Sequence, residues 1–283
     1  MPLQEDMHMQ IRLDRFPGGA HKALTFSYDD GVGQDRRLVA LFNRHGLKAT
    51  FNLNAGLLHE GGGWQSGSVR IDRIAASEVK ALYEGHEVAA HGLTHPHLEC
   101  LSREAMRAEL MEDRRGLEAL VGYPVRGFAY PFGSYSPEVL EMLAACGFSY
   151  ARTVGATHRF ALPTRPLEWD STCHHDQNLM EDAQRFFGMN AVGNPALMYV
   201  WGHSYEFDLK DNWHHIEAFC AMAGQSEDVW FGSNIEVLDY VRAVRGLQFS
   251  VDESMVRNPS AQPVWISVNG AAVCVAGGET LRL

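Results

Sequence analysis

No stretch of the 283-residue chain approaches the roughly 20 consecutive apolar residues that cross a bilayer, so the sequence offers no helical membrane span. Cysteine is sparse. Cys100, Cys146, Cys173, Cys220 and Cys274 are scattered, odd in number and include no Cys-x-x-Cys pair, which argues against a disulfide framework and against a thiolate zinc site. Positive charge is in deficit: Lys and Arg number 24 against 35 Asp and Glu, a formal net charge of -11. Nucleic acid or an anionic membrane calls for a basic patch, so neither is an expected partner, whereas a neutral sugar is not excluded. The opening residues, MPLQEDMHMQIRLDRF, lack a basic segment followed by an apolar run. No secretion signal is therefore visible, and the cytoplasm is the expected location. Internal repeats and low-complexity tracts are also missing.

What is present is an alternation. ALTFSYDDG, residues 23–31, reads as a buried strand ending at an acidic pair. Residues 34–45 carry a helical face of Leu38, Val39, Leu41 and Phe42, closed by Gly46. KATFNLN, 48–54, is the next strand, and the Gly- and Ser-rich stretch 55–70 reads as a long loop. A short helix capped by Ser77 spans 77–83, followed by EVAAHGLTH, a strand running into a loop. Helices over 102–120, 137–145, 178–188, 213–222 and 234–244 alternate with strands over 125–133, 148–153, 196–203 and VWFG. Such alternation argues for a parallel sheet, with barrel-like closure as one form. Residues 247–283 instead alternate as short strands around Asn258-Pro259, Asn269-Gly270 and Gly277-Gly278. The expected division is a main domain over 1–246 and a small antiparallel β appendage over 247–283.

Asp29 and Asp30 follow a strand, and side chains just past strand ends line the ligand face of a parallel α/β fold. Neighbours leaving a strand point apart, so one carboxylate can bind a cation while the other stays free. Asp-Asp-Gly alone is equally a solvated turn. His91 and His95, four apart in HGLTH, can converge on one ion if the segment coils, or can be packing residues. Two neutral imidazoles with a carboxylate suit Zn²⁺ and its relatives, and three protein ligands leave positions open.

Taken in order, SYDDG, HGLTH, FAYPFG and WGH resemble the motifs of the polysaccharide deacetylase family (NodB homology, carbohydrate esterase family 4) over residues 23–205. The resemblance implies a distorted (β/α) barrel and one divalent metal ion, Zn²⁺ first, with Co²⁺ or Ni²⁺ as alternatives. It makes Asp29 the catalytic base, Asp30, His91 and His95 the metal ligands, and His203 the general acid. Pro131 and Phe132 match the groove motif, in which the residue at the Phe132 position offers its N–H to the oxyanion. Tyr130 belongs to the same segment, and Trp201 matches a wall of the acetyl pocket.

Two family features lack an obvious counterpart. Many members carry an Arg that pairs with the base at the position held here by Ala129; Arg165 is the expected replacement and Arg126 the runner-up. The carboxylate that orients the acid is expected from EWD, as Asp170. HHD, residues 174–176, reads as a polar loop, with a second metal site or a substrate contact as alternatives. His97 reads as structural. Trp64, Tyr130, Phe132, Trp169 and Trp213 are available to stack on sugars, though aromatics are more often core. The expected reaction is hydrolysis of an N-acetyl group on an amino sugar. O-acetyl hydrolysis, ring opening of a cyclic amide or imide, and non-catalytic carbohydrate binding are the rival readings.

Overall fold

The direction in which each strand residue points decides where the chemistry faces. In the computed structural model, which describes residues 9–283, strand β1 (Lys22–Asp29) is buried along its whole length. The first eight residues, which open the stretch read for a secretion signal, lie outside the described part. With a side-chain period of two, Leu24, Phe26 and Tyr28 face one way and Ala23, Thr25, Ser27 and Asp29 the other. The first set packs under helices: the Phe26 ring lies 4.5 Å from Phe42 of helix α1 (Asp35–Arg44) and 5.8 Å from Phe219. The second set lines a polar lumen, where Thr25 donates to Asn234 at 2.8 Å and Asn52 donates to Ser27 at 2.7 Å. Asp29 is thus the last inward residue of its strand.

The remaining strands are β2 (Thr50–Leu53), β3 (Glu87–Ala90), β4 (Gly127–Ala129), β5 (Tyr150–Ala156), β6 (Trp169–Ser171), β7 (Cys173–His174), β8 (Ala196–Gly202) and β9 (Val229–Phe231). They form one parallel sheet in the order β7-β8-β1-β2-β3-β4-β5-β6, with β9 paired to the start of β1. The two edge strands, β6 and β7, are separated in the chain by Thr172 alone, so the sheet curls into a nearly closed barrel of the NodB type. The alternation of strand and helix foretold this architecture.

Helices α2 (Arg103–Val121), α3 (Pro137–Ala145), α4 (Leu179–Gly188), α5 (Trp213–Ala223) and α6 (Asn234–Arg245) complete the αβ alternation. Their ends carry ordinary devices. Ser102 accepts from Ala105 N–H at the start of α2, and Ser233 with Glu236 forms a capping box on α6. The helix expected over 77–83 shrinks to Val79–Leu82, and Ser77 does not cap it. The expected loop 55–70 contains a hairpin, Gly63–Ser66 with Val69–Asp72, turned at Gly67. Its sequence was too polar and glycine-rich to show a strand pattern.

Residues 247–283 form short antiparallel pairs. Val264–Val268 lies between Ala271–Val275 and Ile11–Arg12, and Met255–Arg257 lies between Gln248–Phe249 and Thr280–Arg282. Val256, Val264, Ile266 and Val275 share a buried cluster with Val237, Tyr240 and Val241 of α6 and with Tyr150, Trp169 and Tyr199 of the barrel. Among the described residues, no helix is long and apolar enough to cross a membrane.

Candidate active site

Side chains from β1, β2, β5 and the segments after β3 and β8 converge at the carboxyl ends of the strands. Asp29 is buried. Its Oδ1 accepts from Asn52 Nδ2 at 2.7 Å, and its Oδ2 is paired with the Arg152 guanidinium. Burial alone would raise this carboxyl, but Arg152 first, then His91, His203 and Asn52, outweigh it and hold it below the usual range. It is an anion at neutral pH.

Asp30 and Gly31 both take positive φ, 85° and 62°, where the chain turns out of β1. At Gly31 a Cβ would meet Leu53 at 2.9 Å, so the turn needs glycine on two counts. The turn sets the Asp30 carboxylate beside the two histidines, with Oδ1 3.9 Å from His95 Nε2. Arg73 reaches the same residue, 3.3 Å from Asp30 Oδ1 and 3.2 Å from Asn54 Oδ1.

His91 follows β3, and Ala129 O fixes its ring by accepting from Nδ1 at 2.8 Å. That bond leaves Nε2 as a bare lone pair. His95, at φ 60°, turns its own Nε2 to within 3.1 Å of it. Burial lowers both imidazoles, His95 to about 4, so both rings are neutral at pH 7. A cation answers two facing nitrogens and an adjacent carboxylate oxygen, and the 3.1 Å separation is close to the edge of a tetrahedron with bonds of about 2 Å. Asp30, His91 and His95 offer ligand atoms mutually within 4.8 Å, so the residues fit a divalent ion.

The histidine loop is braced from behind. Asn54 Nδ2 donates to His91 O and Gly92 O, both at 2.7 Å, while buried Asp113 on α2 accepts from Ala55 N–H at 2.7 Å and His91 N–H at 3.0 Å. Burial pushes Asp113 up to about 7 despite those donors. Asp113→Ala leaves the Ala55 N–H without its partner and takes the second acceptor from His91 N–H, which keeps Leu53 O at 3.0 Å. It is expected to cost about 1–3 kcal/mol in urea unfolding and to weaken metal retention on dialysis. Unchanged stability would show that the brace carries no weight.

His203, after β8, brings Nε2 to 3.9 Å from Asp29 Oδ2 and 4.0 Å from Asp30 Oδ2. Its other nitrogen, Nδ1, lies 3.3 Å from Glu206 Oε2. Burial would depress the imidazole, but Glu206, then Asp29 and Asp30, outweigh it and raise it to about 9.

Two expected partners lie elsewhere. Arg165 is largely exposed and pairs with Glu168, three residues on. The guanidinium on Asp29 belongs to Arg152, whose Cα is the register partner of Ala129 across the β4–β5 ladder. The charge thus enters the same layer of the lumen from the neighbouring strand. Its sequence signal was a lone arginine inside a strand of otherwise buried residues. Arg126, the runner-up, pairs with Asp239 of α6. Asp170 cannot orient His203. In β6, Trp169 and Ser171 are buried, so the intervening Asp170 faces out, where Thr153 Oγ1 donates to it. The carboxylate that faces His203 Nδ1 is instead that of Glu206, three residues on.

The groove segment is placed unevenly. Phe132, at φ 57° and 59% exposed, sets its ring 4.5 Å from His95 and stacks on His97 at 4.1 Å, so His97 props the groove wall. Pro131 is buried beside Gly92. Tyr130 is buried, its hydroxyl donating to Leu167 O at 2.7 Å, and it presents no surface for a sugar. Trp201 packs its indole 4.3 Å from the Arg152 guanidinium. Trp169 and Trp213 are core. Trp64, on the hairpin, meets Tyr205 at 5.4 Å and carries Arg73 over its face.

Comparison with known proteins bears on the family and the fold. The family model described as polysaccharide deacetylase matches residues 17–151, which places that part of the chain in the polysaccharide deacetylase family. The uncharacterized protein YlxY of Bacillus subtilis is 25% identical over 108 residues, 38% of this chain and 30% of that protein. The match therefore spans under a third of the length of that relative. Among solved structures, a candidate polysaccharide deacetylase from Mycobacterium smegmatis superposes with TM-score 0.58 at 15% identity, covering 81% of this chain and 93% of that one. The carbohydrate esterase 4 domain of a xylanase from a Trinervitermes trinervoides hindgut metagenome gives 0.51 at 15%, covering 78% and 92%. A family 4 pseudoenzyme from Bacillus anthracis gives 0.51 at 20%, covering 77% and 66%. At these identities the likeness is one of fold, and the pseudoenzyme shows that the fold by itself does not secure turnover.

Proposed function

We propose that the chain is a metal-dependent hydrolase that removes acetyl groups, in the first place N-acetyl from an amino sugar of an oligo- or polysaccharide. The observation that carries this reading is the position of Asp29. Its Oδ2 stands 3.9 Å from Nε2 of His91 on one side and 3.9 Å from Nε2 of His203 on the other. A carboxylate so placed adjoins both the cation-binding imidazoles and a separate proton donor, as hydrolysis of an unreactive amide requires.

Asp30, His91 and His95 would hold the ion, which when bound supplies a Lewis acid that polarises the acyl oxygen and eases deprotonation of water. Asp29, kept ionised by Arg152 and Asn52, accepts the proton of the attacking water through Oδ2. The Phe132 N–H is assigned to the acyl oxygen as negative charge develops there; a donor of this kind is typically worth about 3–4 kcal/mol. His203 then gives the Nε2 proton to the departing sugar nitrogen, which leaves badly as an anion. Glu206 holds the imidazole charged and oriented through Nδ1. The exposed Phe132 face and Trp64 flank the opening and offer apolar surface to a sugar ring.

Acetate release from a panel of N- and O-acetylated mono- and oligosaccharides, with Zn²⁺, Co²⁺ or Ni²⁺ restored after chelation, tests the reading. Release that depends on the added metal is expected. Folded, metal-loaded protein that frees no acetate from any member, or that opens cyclic imides instead, would sink it.

The pH profile supplies a second test. His203 must be protonated to act as acid, so activity should persist to about pH 9 and fall above it as the imidazole loses its proton. Glu206→Gln removes the contact that raises it, and the alkaline limb should move down by at least about one unit. A limb that stays put would remove His203 from the acid role.

A further inference from the structure

Beside the Asp30–His91–His95 group lies a second set of ligating side chains, of which only Glu206 has a task in the reaction. His175, two residues past the start of β7, is buried with its ring slotted between Tyr28, 5.7 Å away at 13°, and Phe207, 4.2 Å away at 26°. Its Nε2 lies 3.3 Å from Asp176 Oδ2 and 3.4 Å from Glu206 Oε2, yet neither ring nitrogen makes an aligned hydrogen bond. We propose that His175, Asp176 and Glu206 form a second divalent-cation site, which takes a borderline ion such as Zn²⁺ or Co²⁺ in exchange for the Lys210 ammonium.

The separations carry the argument first. Ligand atoms 3.3–3.4 Å apart match the edges of a tetrahedron whose centre lies about 2 Å from each. One imidazole and two carboxylates are a ligand set for borderline divalent ions. A buried imidazole with no aligned hydrogen bond is otherwise a cost to the fold. Charge carries it next. Contacts with His175, Lys210 and Asn212 keep Asp176 ionised against burial, and His174 with His203 does so for Glu206. Burial holds His175 in the neutral form that ligates. Lys210 already brings a positive charge to Asp176 Oδ2 from a half-exposed, flexible stem, and Asn212 donates to the other oxygen at 3.2 Å. A cation would displace the ammonium and leave the Asn212 bond in place.

His174 stands just outside. Its Nδ1 accepts the Asp176 N–H at 3.2 Å, which leaves Nε2–H to face Glu206 Oε2 at 3.0 Å. It steadies Glu206 and is not counted as a ligand. Because Glu206 Oε2 also faces His203 Nδ1, filling this site draws the carboxylate away from the proton donor. Excess cation is then expected to slow turnover. That consequence, unlike the site itself, rests on the proposed acetyl hydrolysis.

The test is stoichiometry. Chelator-stripped protein is titrated with Co²⁺ and with Zn²⁺ by calorimetry, and bound metal is counted after gel filtration. Two sites are expected in the wild type, with one remaining in His175→Ala and the other in His95→Ala, the two Co²⁺ forms differing in visible absorption. Lys210→Met should keep both and tighten the second roughly tenfold, the scale of a unit charge facing a dication across a few ångström of solvent-like dielectric. Saturation at one equivalent that His95→Ala abolishes, with His175→Ala unchanged, overturns the proposal. Should His175→Ala fail to fold, Lys210→Met decides alone: an unaltered titration overturns the site. Two bound cations without acetate release would sink the hydrolase reading and leave this site standing, while acetate release with a single bound cation does the reverse.

Discussion

Asp29→Asn is expected to lower kcat by about 10²–10⁴-fold, the range of a positioned general base, while bound metal stays at the wild-type level. The separation between the two readouts comes from geometry. Asp29 Oδ2 stands 3.9 Å from His91 Nε2, whereas Asp30 is the carboxylate grouped with His91 and His95. Asparagine keeps the size of the side chain but loses the ability to take a proton, together with the charge that faces Arg152. Metal assay and steady-state acetate release on the same preparation decide the matter. A variant that loses its metal along with activity would make Asp29 a ligand; one that keeps full activity would remove it from the reaction.

Arg152→Met is expected to cost about 3–5 kcal/mol of unfolding free energy, because it leaves a buried carboxylate without its counter-charge. Arg152 is 1% exposed, and its guanidinium both pairs with Asp29 and packs on Trp201. The sign of the pH dependence follows from which influence remains. In the wild type, Asp29 is held below its ordinary 3.8, so its stabilising contribution is present above that pH and is lost as pH falls through the depressed value. Without Arg152, burial is opposed only by His91, His203 and Asn52, so the folded-state carboxyl moves up and the neutral acid gains ground. The penalty is then full at pH 8 and eases as pH drops. Urea unfolding at pH 8 and pH 5 should show the larger wild-type advantage at pH 8; equal differences at both would separate Arg152 from the Asp29 charge. The acid limb of the rate profile should move up in the same variant.

The barrel was legible because its signals are local and repeated: buried strands of about five residues, helices closed by glycine, and chemistry gathered at strand ends. Asp29, Asp30, His91, His95 and His203 were legible because contiguous motifs carry them. The partners that tune them were not. Arg152 answers Asp29 across 123 positions, through a register between two strands that no motif encodes. Arg165 lost because a 3-10 turn, Pro166–Glu168, gave it Glu168 as a nearer mate. Asp170 lost to strand parity, and that parity could have been read: a tryptophan and a serine flanking it in WDS leave it the opposite face. Glu206 belongs to no motif, and its place beside His203 depends on the short helix Glu206–Leu209 folding back on it.

The joint at Thr172 has a consequence for how the ring behaves. Elsewhere neighbouring strands are sewn by longer ladders, but where β6 passes into β7 the link to β8 rests on the two-residue β7 ladder and on Thr172, whose N–H donates to Tyr199 O at 2.8 Å and whose Oγ1 accepts from Tyr199 N–H at 3.0 Å, and a cavity of about 260 Å³ bordered by Trp169, Asp170, Thr172 and Tyr199 opens at that place. A cylinder with one thinly laced seam yields there first. Deuterium should enter the amides of residues 157–172 well before those of β1, and small solutes that wedge the seam apart should loosen the lumen from that side while the mouth keeps its shape.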